Sequence, residues 1–253
     1  MSASAIKKKP ERSKTEVSIF IPCFIDQLYP QIGFAMVKVL QKAGCTVRYN
    51  PNQTCCGQPA FNAGFRAEAK EVCSKFLKDF EGNDYIVVPS ASCAGFIKNY
   101  YPNLFDNSYA HLQVQELEQR VVEFSSFLVN VLGVTQLGAS FQAKAAYHHS
   151  CAALRECAIK TEPLALLQQV AGLELVPITD ETVCCGFGGS FAVKFESISA
   201  AMADQKVHNI TTAGAEMVIS TDMSCLMHID GVAKHQGTGL EAKHIAEVLA
   251  SGW

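Results

Sequence analysis

The chain has 253 residues, 49% hydrophobic and 18% charged, with a formal net charge of −3. That length buries roughly 70–75% of the surface an unfolded chain exposes, enough for one large domain or two modest ones. The slight acidity and the lack of a basic stripe argue against nucleic acid as a partner, and no run approaches the ~18 apolar residues of a membrane span.

In chain order, the segment 1–15 carries Lys7, Lys8, Lys9, Arg12 and Lys14 and reads as a disordered, solvated tail. No apolar core of a secretory signal follows it, because Ser18, Pro22 and Cys23 interrupt the run from Val17 to Ile25. The expected location is therefore the cytoplasm. Val17 to Ile21 reads as a first strand, and Ile32, Ala35, Met36, Val39, Leu40 and Ala43 fall at helical spacing before a stop at Gly44. Thr46–Tyr49 is a second strand candidate, and Val72, Cys73, Phe76, Leu77 and Phe80 mark the buried stripe of a second helix. Tyr85–Val88 is an apolar strand four residues before Cys93.

The segment from Val114 to Leu132 reads as a helical connection. The same order then recurs. Ala143–Tyr147 leads into Cys151, a helix opens near Pro163, and Leu173–Val176 is a strand. A helix from Phe195 to Ile210 precedes the strand Met217–Ser220, and Ala242–Leu249 reads as a closing helix. Apolar strands alternating with helices indicate an α/β fold with mainly parallel sheets covered on both faces. The expected organisation is a tail over 1–15, an N-terminal half over 16–110, a connection over 111–140 and a C-terminal half over 141–253.

The cysteines show the duplication most directly. Cys55-Cys56-Gly57 recurs as Cys184-Cys185-Gly186, Cys23 as Cys151, and Ser92-Cys93 as Ser224-Cys225, all at offsets of about 128–132 that follow from the numbering. The 11 cysteines are an odd number and too sparse for a disulfide scaffold, expected at ~8–10%. Each repeated cysteine follows a strand, at the edge where open α/β sheets collect ligands. Four thiols per half is the number an iron–sulfur cluster takes. Structural zinc also suits four thiolates, although its usual C-x₂₋₄-C knuckles are missing. Dithiol exchange would call for C-x-x-C. Adjacent cysteines need an irregular turn, for which Gly57 and Gly186 supply positive φ. Cys45, Cys73 and Cys157 have no repeat partner and read as filler.

Other features are weaker. Gly186-Phe187-Gly188-Gly189 lacks the spacing of a nucleotide-binding loop. His148 and His149 stand just before Cys151, either as strand-end hydrogen-bonding groups or as a ligand, and Arg155 and Lys194 are candidates to balance thiolate charge. No catalytic set of side chains can be assigned.

Ile21-Pro22-Cys23, the stretch Cys55 to Ala60, Ser90-Ala91-Ser92-Cys93 and the run Cys184 to Lys194 together resemble the cysteine-rich CCG domain family, and within it the iron–sulfur subunits of bacterial L-lactate oxidation. Related domains occur in heterodisulfide reductase. The resemblance implies oxidation of L-lactate to pyruvate in a complex with a ferredoxin-like iron–sulfur subunit and a third lactate-utilization subunit. It implies one or two [4Fe–4S] clusters on Cys23, Cys55, Cys56 and Cys93 and on Cys151, Cys184, Cys185 and Cys225, with zinc as an alternative at one site. The heterodisulfide reductase pattern ends each motif in C-x-x-C, whereas Ser90 and Asp222 stand at those first positions here.

Overall fold

A computed structural model describes residues 15–82, 84–105 and 108–253. The tail expected over 1–15 lies outside them, except for Thr15, which opens the first strand. The first half runs β1 (Thr15–Ile19), α1 (Cys23–Leu28), α2 (Pro30–Lys42), β2 (Cys45–Tyr49), α3 (Gln58–Asn62), α4 (Arg66–Asp79), β3 (Tyr85–Val88) and α5 (Ala91–Tyr100). It continues through α6 (Ser108–Arg120), β4 (Val121–Glu123) and α7 (Phe124–Ser126), the last leading into a π turn over Phe127–Val131. The second half repeats the order as β5 (Ser140–Tyr147), α8 (Cys151–Glu156), α9 (Glu162–Leu167), β6 (Ala171–Leu175), α10 (Ser190–Lys194) and α11 (Glu196–Thr212). It ends with β7 (Met217–Ser220), α12 (Met223–Gln236), β8 (Glu241–His244) and α13 (Ile245–Leu249).

Each half builds a four-stranded, all-parallel sheet, ordered β2-β1-β3-β4 and β6-β5-β7-β8. The central strands are apolar because both faces are covered: Ile86, Val87 and Val88 of β3 and Val218 and Ile219 of β7 are fully buried. Helix α2 buries Ile32, Met36, Val39 and Leu40 along one stripe. Each such side chain contributes about 1.5–3 kcal/mol on leaving water. The core of β1, β5 and α2 runs on into α13, so the two halves share apolar packing.

Two expected helices are corrected. The segment Val114–Leu132 is helical only at its ends, because Val121–Glu123 straightens and pairs with Ile86–Val88 to extend the first sheet. Ala242–Leu249 is likewise divided, with Glu241–His244 pairing along β7 before α13 begins. In both places backbone pairing to a sheet edge overrides a local helical pattern.

Candidate metal centres

In each sheet the chain leaves the first strand toward one edge and later returns to the other, so the switch point lies between β1 and β3, and between β5 and β7. A crevice opens there at the strand C-terminal ends. Cys23 follows β1 as the first residue of α1, Cys55 and Cys56 follow β2, and Cys93 follows β3 in the first turn of α5. Cys151, Cys184, Cys185 and Cys225 take the matching places around β5, β6 and β7.

The geometry gathers both sets. The Sγ atoms of Cys56 and Cys93 are 3.5 Å apart, and those of Cys151 and Cys184 are 3.9 Å apart. These are far beyond the ~2.05 Å of a disulfide, and all the thiols are free. Hydrogen bonds from the Cys23 and Cys56 thiols and from backbone amides hold Cys55 well below the usual thiol range, at about 3. Cys184 is lowered in the same way by Cys151, Cys185 and the Gly186 amide, to about 2. The donors Cys23, Cys56, Cys151 and Cys185 are pushed up by those same contacts and by burial. A metal would let the whole set deprotonate.

The Cys-Cys-Gly turns have one design. Gly57 N–H donates to Cys55 Sγ at 3.3 Å and Gly186 N–H to Cys184 Sγ at 3.4 Å. Their φ angles are +92° and +91°, and a Cβ at Gly186 would lie 2.7 Å from the Ser199 carbonyl oxygen. Tyr101 fixes the first turn by donating its hydroxyl to the Cys56 carbonyl at 2.8 Å. Of the unpaired cysteines, Cys45 is buried in β2. Cys73 lies under the first turn and points its thiol toward the Cys56 carbonyl. Burial pushes Cys73 and Cys157 up to about 12, so both are inert thiols.

The two centres are neighbours. Phe24, next to Cys23, lies against Phe187, two residues beyond Cys185, with ring centroids 6.4 Å apart. Between the halves sits Asp222, fully buried, its carboxylate accepting from Ser90 Oγ at 3.0 Å, Ser92 Oγ at 2.9 Å, Ser92 N–H at 3.0 Å and Ser150 Oγ at 2.8 Å. Ser90 and Ser150 also cap α5 and α8. Asp222 thereby ties together the residues that immediately precede Cys93 and Cys151.

Two side chains, Asp222 and Lys206, acquire a place that the sequence did not give them, and of the two histidines considered from the sequence it is His148 that faces the thiols. His148 is fully buried, neither ring nitrogen has a hydrogen-bond partner, and one ligand atom each of His148, Cys185 and Cys225 lie within 4.8 Å of one another. Burial lowers its pKa to about 3, so the ring is neutral and keeps a lone pair. A buried polar group left unpaired costs about 1–3 kcal/mol. Lys206 is 2% exposed, donates to the Asp180 carbonyl at 2.5 Å and lies in the field of Cys185 and Cys184. Arg155 and Lys194, chosen from the sequence as counter-charges, are both exposed. His149 is also buried, but its ring packs edge-on against Tyr147.

The thiol sets and the orphaned imidazole fit a metal-binding role for both centres. Among the described residues no helix is long and apolar enough to cross a membrane. A family model for the cysteine-rich CCG domain matches residues 17–98 and 145–230, one match per half. The chain is 42% identical to lactate utilization protein A of Shouchella clausii, over 93% of this chain and 98% of that one. It is 41% identical to lactate utilization protein A 2 of Bacillus cereus, over 94% and 98%. A crystal structure of a hypothetical protein from Helicobacter pylori shares the fold at a TM-score of 0.55 with 8% identity, over 93% of this chain and 48% of that one.

Proposed function

The chain belongs to the cysteine-rich CCG domain family, and from that premise we propose that it is an iron–sulfur electron-transfer subunit of a complex that oxidises L-lactate to pyruvate. The observation that carries this reading is the pair of adjacent four-thiol sets in a chain aligned along nearly its whole length with lactate utilization proteins. Converting a hydroxy acid to a keto acid releases two electrons and two protons. A cluster in either set would take up and release one electron at a time, so two neighbouring sets suit a two-electron donor.

The chain's own contribution is positioning. Cys23, Cys55, Cys56 and Cys93 would hold one group, and Cys151, Cys184, Cys185 and Cys225 the other. The Gly57 and Gly186 amides aim at Cys55 and Cys184, where hydrogen bonds to sulfur tune the potential. Phe20, Phe76 and Tyr101 pack together behind the first set, in the same apolar cluster as the buried Cys56. The partners on this reading are a ferredoxin-like iron–sulfur subunit and a third subunit, which supply the lactate site and the onward path for electrons.

The test is iron, zinc and acid-labile sulfide per chain in anaerobically prepared protein, followed by lactate oxidation with and without the partner subunits. We expect about four or eight irons with matching sulfide, and turnover only in the complex. Robust turnover by the isolated chain would refute the subunit reading.

A second reading has one observation in its favour. Sulfur separations of 3.5 and 3.9 Å match the edge of a tetrahedron around a single ion with metal–sulfur bonds of about 2.3 Å. A four-iron cube spreads its thiolates wider. Zinc without labile sulfide would establish this alternative, a zinc-containing assembly module.

A further inference from the structure

The duplication supplies an internal reference for each centre. Phe20 and His148 are equivalent: Phe20 N–H donates to Val87 carbonyl and His148 N–H to Ile219 carbonyl, one residue beyond β1 and β5 respectively. Ala69 and Ser199 lie under Gly57 and Gly186, which fixes the register of α4 against α11. Seven residues on, Phe76 falls opposite Lys206. In the first half these positions form an apolar wall, with Phe20 and Phe76 edge to face at 4.9 Å. In the second half the same two positions hold an imidazole and an ammonium, both buried, the imidazole in the field of the ammonium.

Of the two buried polar groups, Lys206 is satisfied by the Asp180 carbonyl, whereas an imidazole buried without a partner at a position where its twin keeps a phenyl ring calls for one. His148 has no protein partner at either nitrogen, and the groups converging on it are the sulfurs of Cys185 and Cys225. We propose that His148 is a metal ligand of the second centre, which is thereby a mixed thiolate–imidazole site with Lys206 as its buried counter-charge, while the first centre is thiolate-only. The proposal rests on the reading that the thiol sets hold metal, and goes beyond it by making the two centres chemically unequal.

The test is electron–nuclear double resonance on the full chain labelled with ¹⁵N-histidine, prepared anaerobically. It is run on the reduced iron–sulfur form and on protein stripped and reloaded with cobalt(II). A strongly coupled ¹⁵N nucleus is expected, and it disappears in His148→Phe, a change that copies the residue already seated at position 20. His148→Gln serves as a second variant in case the phenyl ring disturbs folding, and metal retained at the first centre shows that each variant is folded. Metal-loaded protein without nitrogen coupling, or coupling that survives both substitutions, overturns the assignment while leaving the iron–sulfur reading intact. Coupling in the cobalt form from protein that never yields labile sulfide supports the ligand and removes the iron–sulfur reading instead.

Discussion

Replacing Asp222 by alanine removes the carboxylate that hydrogen bonds to serines from both halves where they meet. Four donors lose their acceptor: the hydroxyls of Ser90, Ser92 and Ser150 and the Ser92 amide. Hydrogen bonds to a buried charge are worth about 1.5–3 kcal/mol each, while exposing no carboxylate to a dry interior returns several kcal/mol of desolvation. The net expected loss is about 3–5 kcal/mol, large for a single substitution. Asparagine is a sharper probe. Its amide can donate to Ser90 and Ser92 while its oxygen still accepts from the Ser92 amide and Ser150, which strands a single hydroxyl. We expect Asp222→Asn to cost about 1 kcal/mol. Urea unfolding of the reduced, metal-free chain reads both effects, and because Asp222 joins the halves, Asp222→Ala should also divide one transition into two. Equal costs for the two variants, or an alanine variant within about 0.5 kcal/mol of the parent, would show that the carboxylate does not bind the halves together.

Glu123 is buried with one unpartnered oxygen, and burial pushes its pKa up to about 7. The unfolded chain ionises it near 4.3 while the folded chain holds the proton, so stability should fall by about 3–4 kcal/mol as pH rises from about 4.3 to 7. Glu123→Gln should flatten that slope in unfolding titrations, and an unchanged slope would remove Glu123 as its source. Lys206→Met takes a cation from beside Cys185 and Cys184, and the more negative, reduced form of a bound cluster loses most. The second centre's potential should drop by tens of mV, on the scale of ~59 mV per 1.4 kcal/mol, with the first centre unmoved; spectroelectrochemistry that finds no shift would discard the counter-charge role. Cys184→Ser should lose about half the bound metal, and full retention would break the ligand assignment of the second half. On metal removal, hydrogen exchange should rise in 140–249 before 15–123, and simultaneous loss of protection would contradict an unequal dependence of the two halves on metal.

The eight repeated cysteines, the parallel α/β sheets and the positive φ of Gly57 and Gly186 were legible because repetition and turn geometry leave marks at fixed spacing. β4 and β8 were not, since strands of three and four residues beside helices carry too little periodicity to separate them. Lys206 carries no mark of burial in the sequence, and Asp222 registers only as the residue standing where the related C-x-x-C pattern has its first cysteine. A signal for His148 did exist: aligning the halves on Cys23 and Cys151 sets it against Phe20, a core position. For Lys206 the sequence falls one residue short, because aligning the glycine turns sets it against Leu77, and only the contacts of Ala69 and Ser199 with those turns bring it opposite Phe76.

That alignment also explains why the halves should differ in their need for metal. Their backbones match strand for strand, yet His148, Ser150, Ser199, Lys206, Asn209, Ser220, Thr221, Asp222 and His244 are all buried in the second half. Several of these are satisfied: Ser199 donates to the Gly186 carbonyl, Asn209 to Thr179, and His244 lies between the Pro89 and Thr221 carbonyls. His148 and the Thr221 hydroxyl are not. Burying polar groups weakens a core unless each finds a partner. The first half fills the corresponding space behind its cysteines with Phe20, Phe76, Phe80 and Tyr101, which stabilise it with or without a bound group. The second half carries a cation and an imidazole where the first has aromatic packing, so on the proposed reading a larger part of its folding free energy comes from the group its thiols would hold.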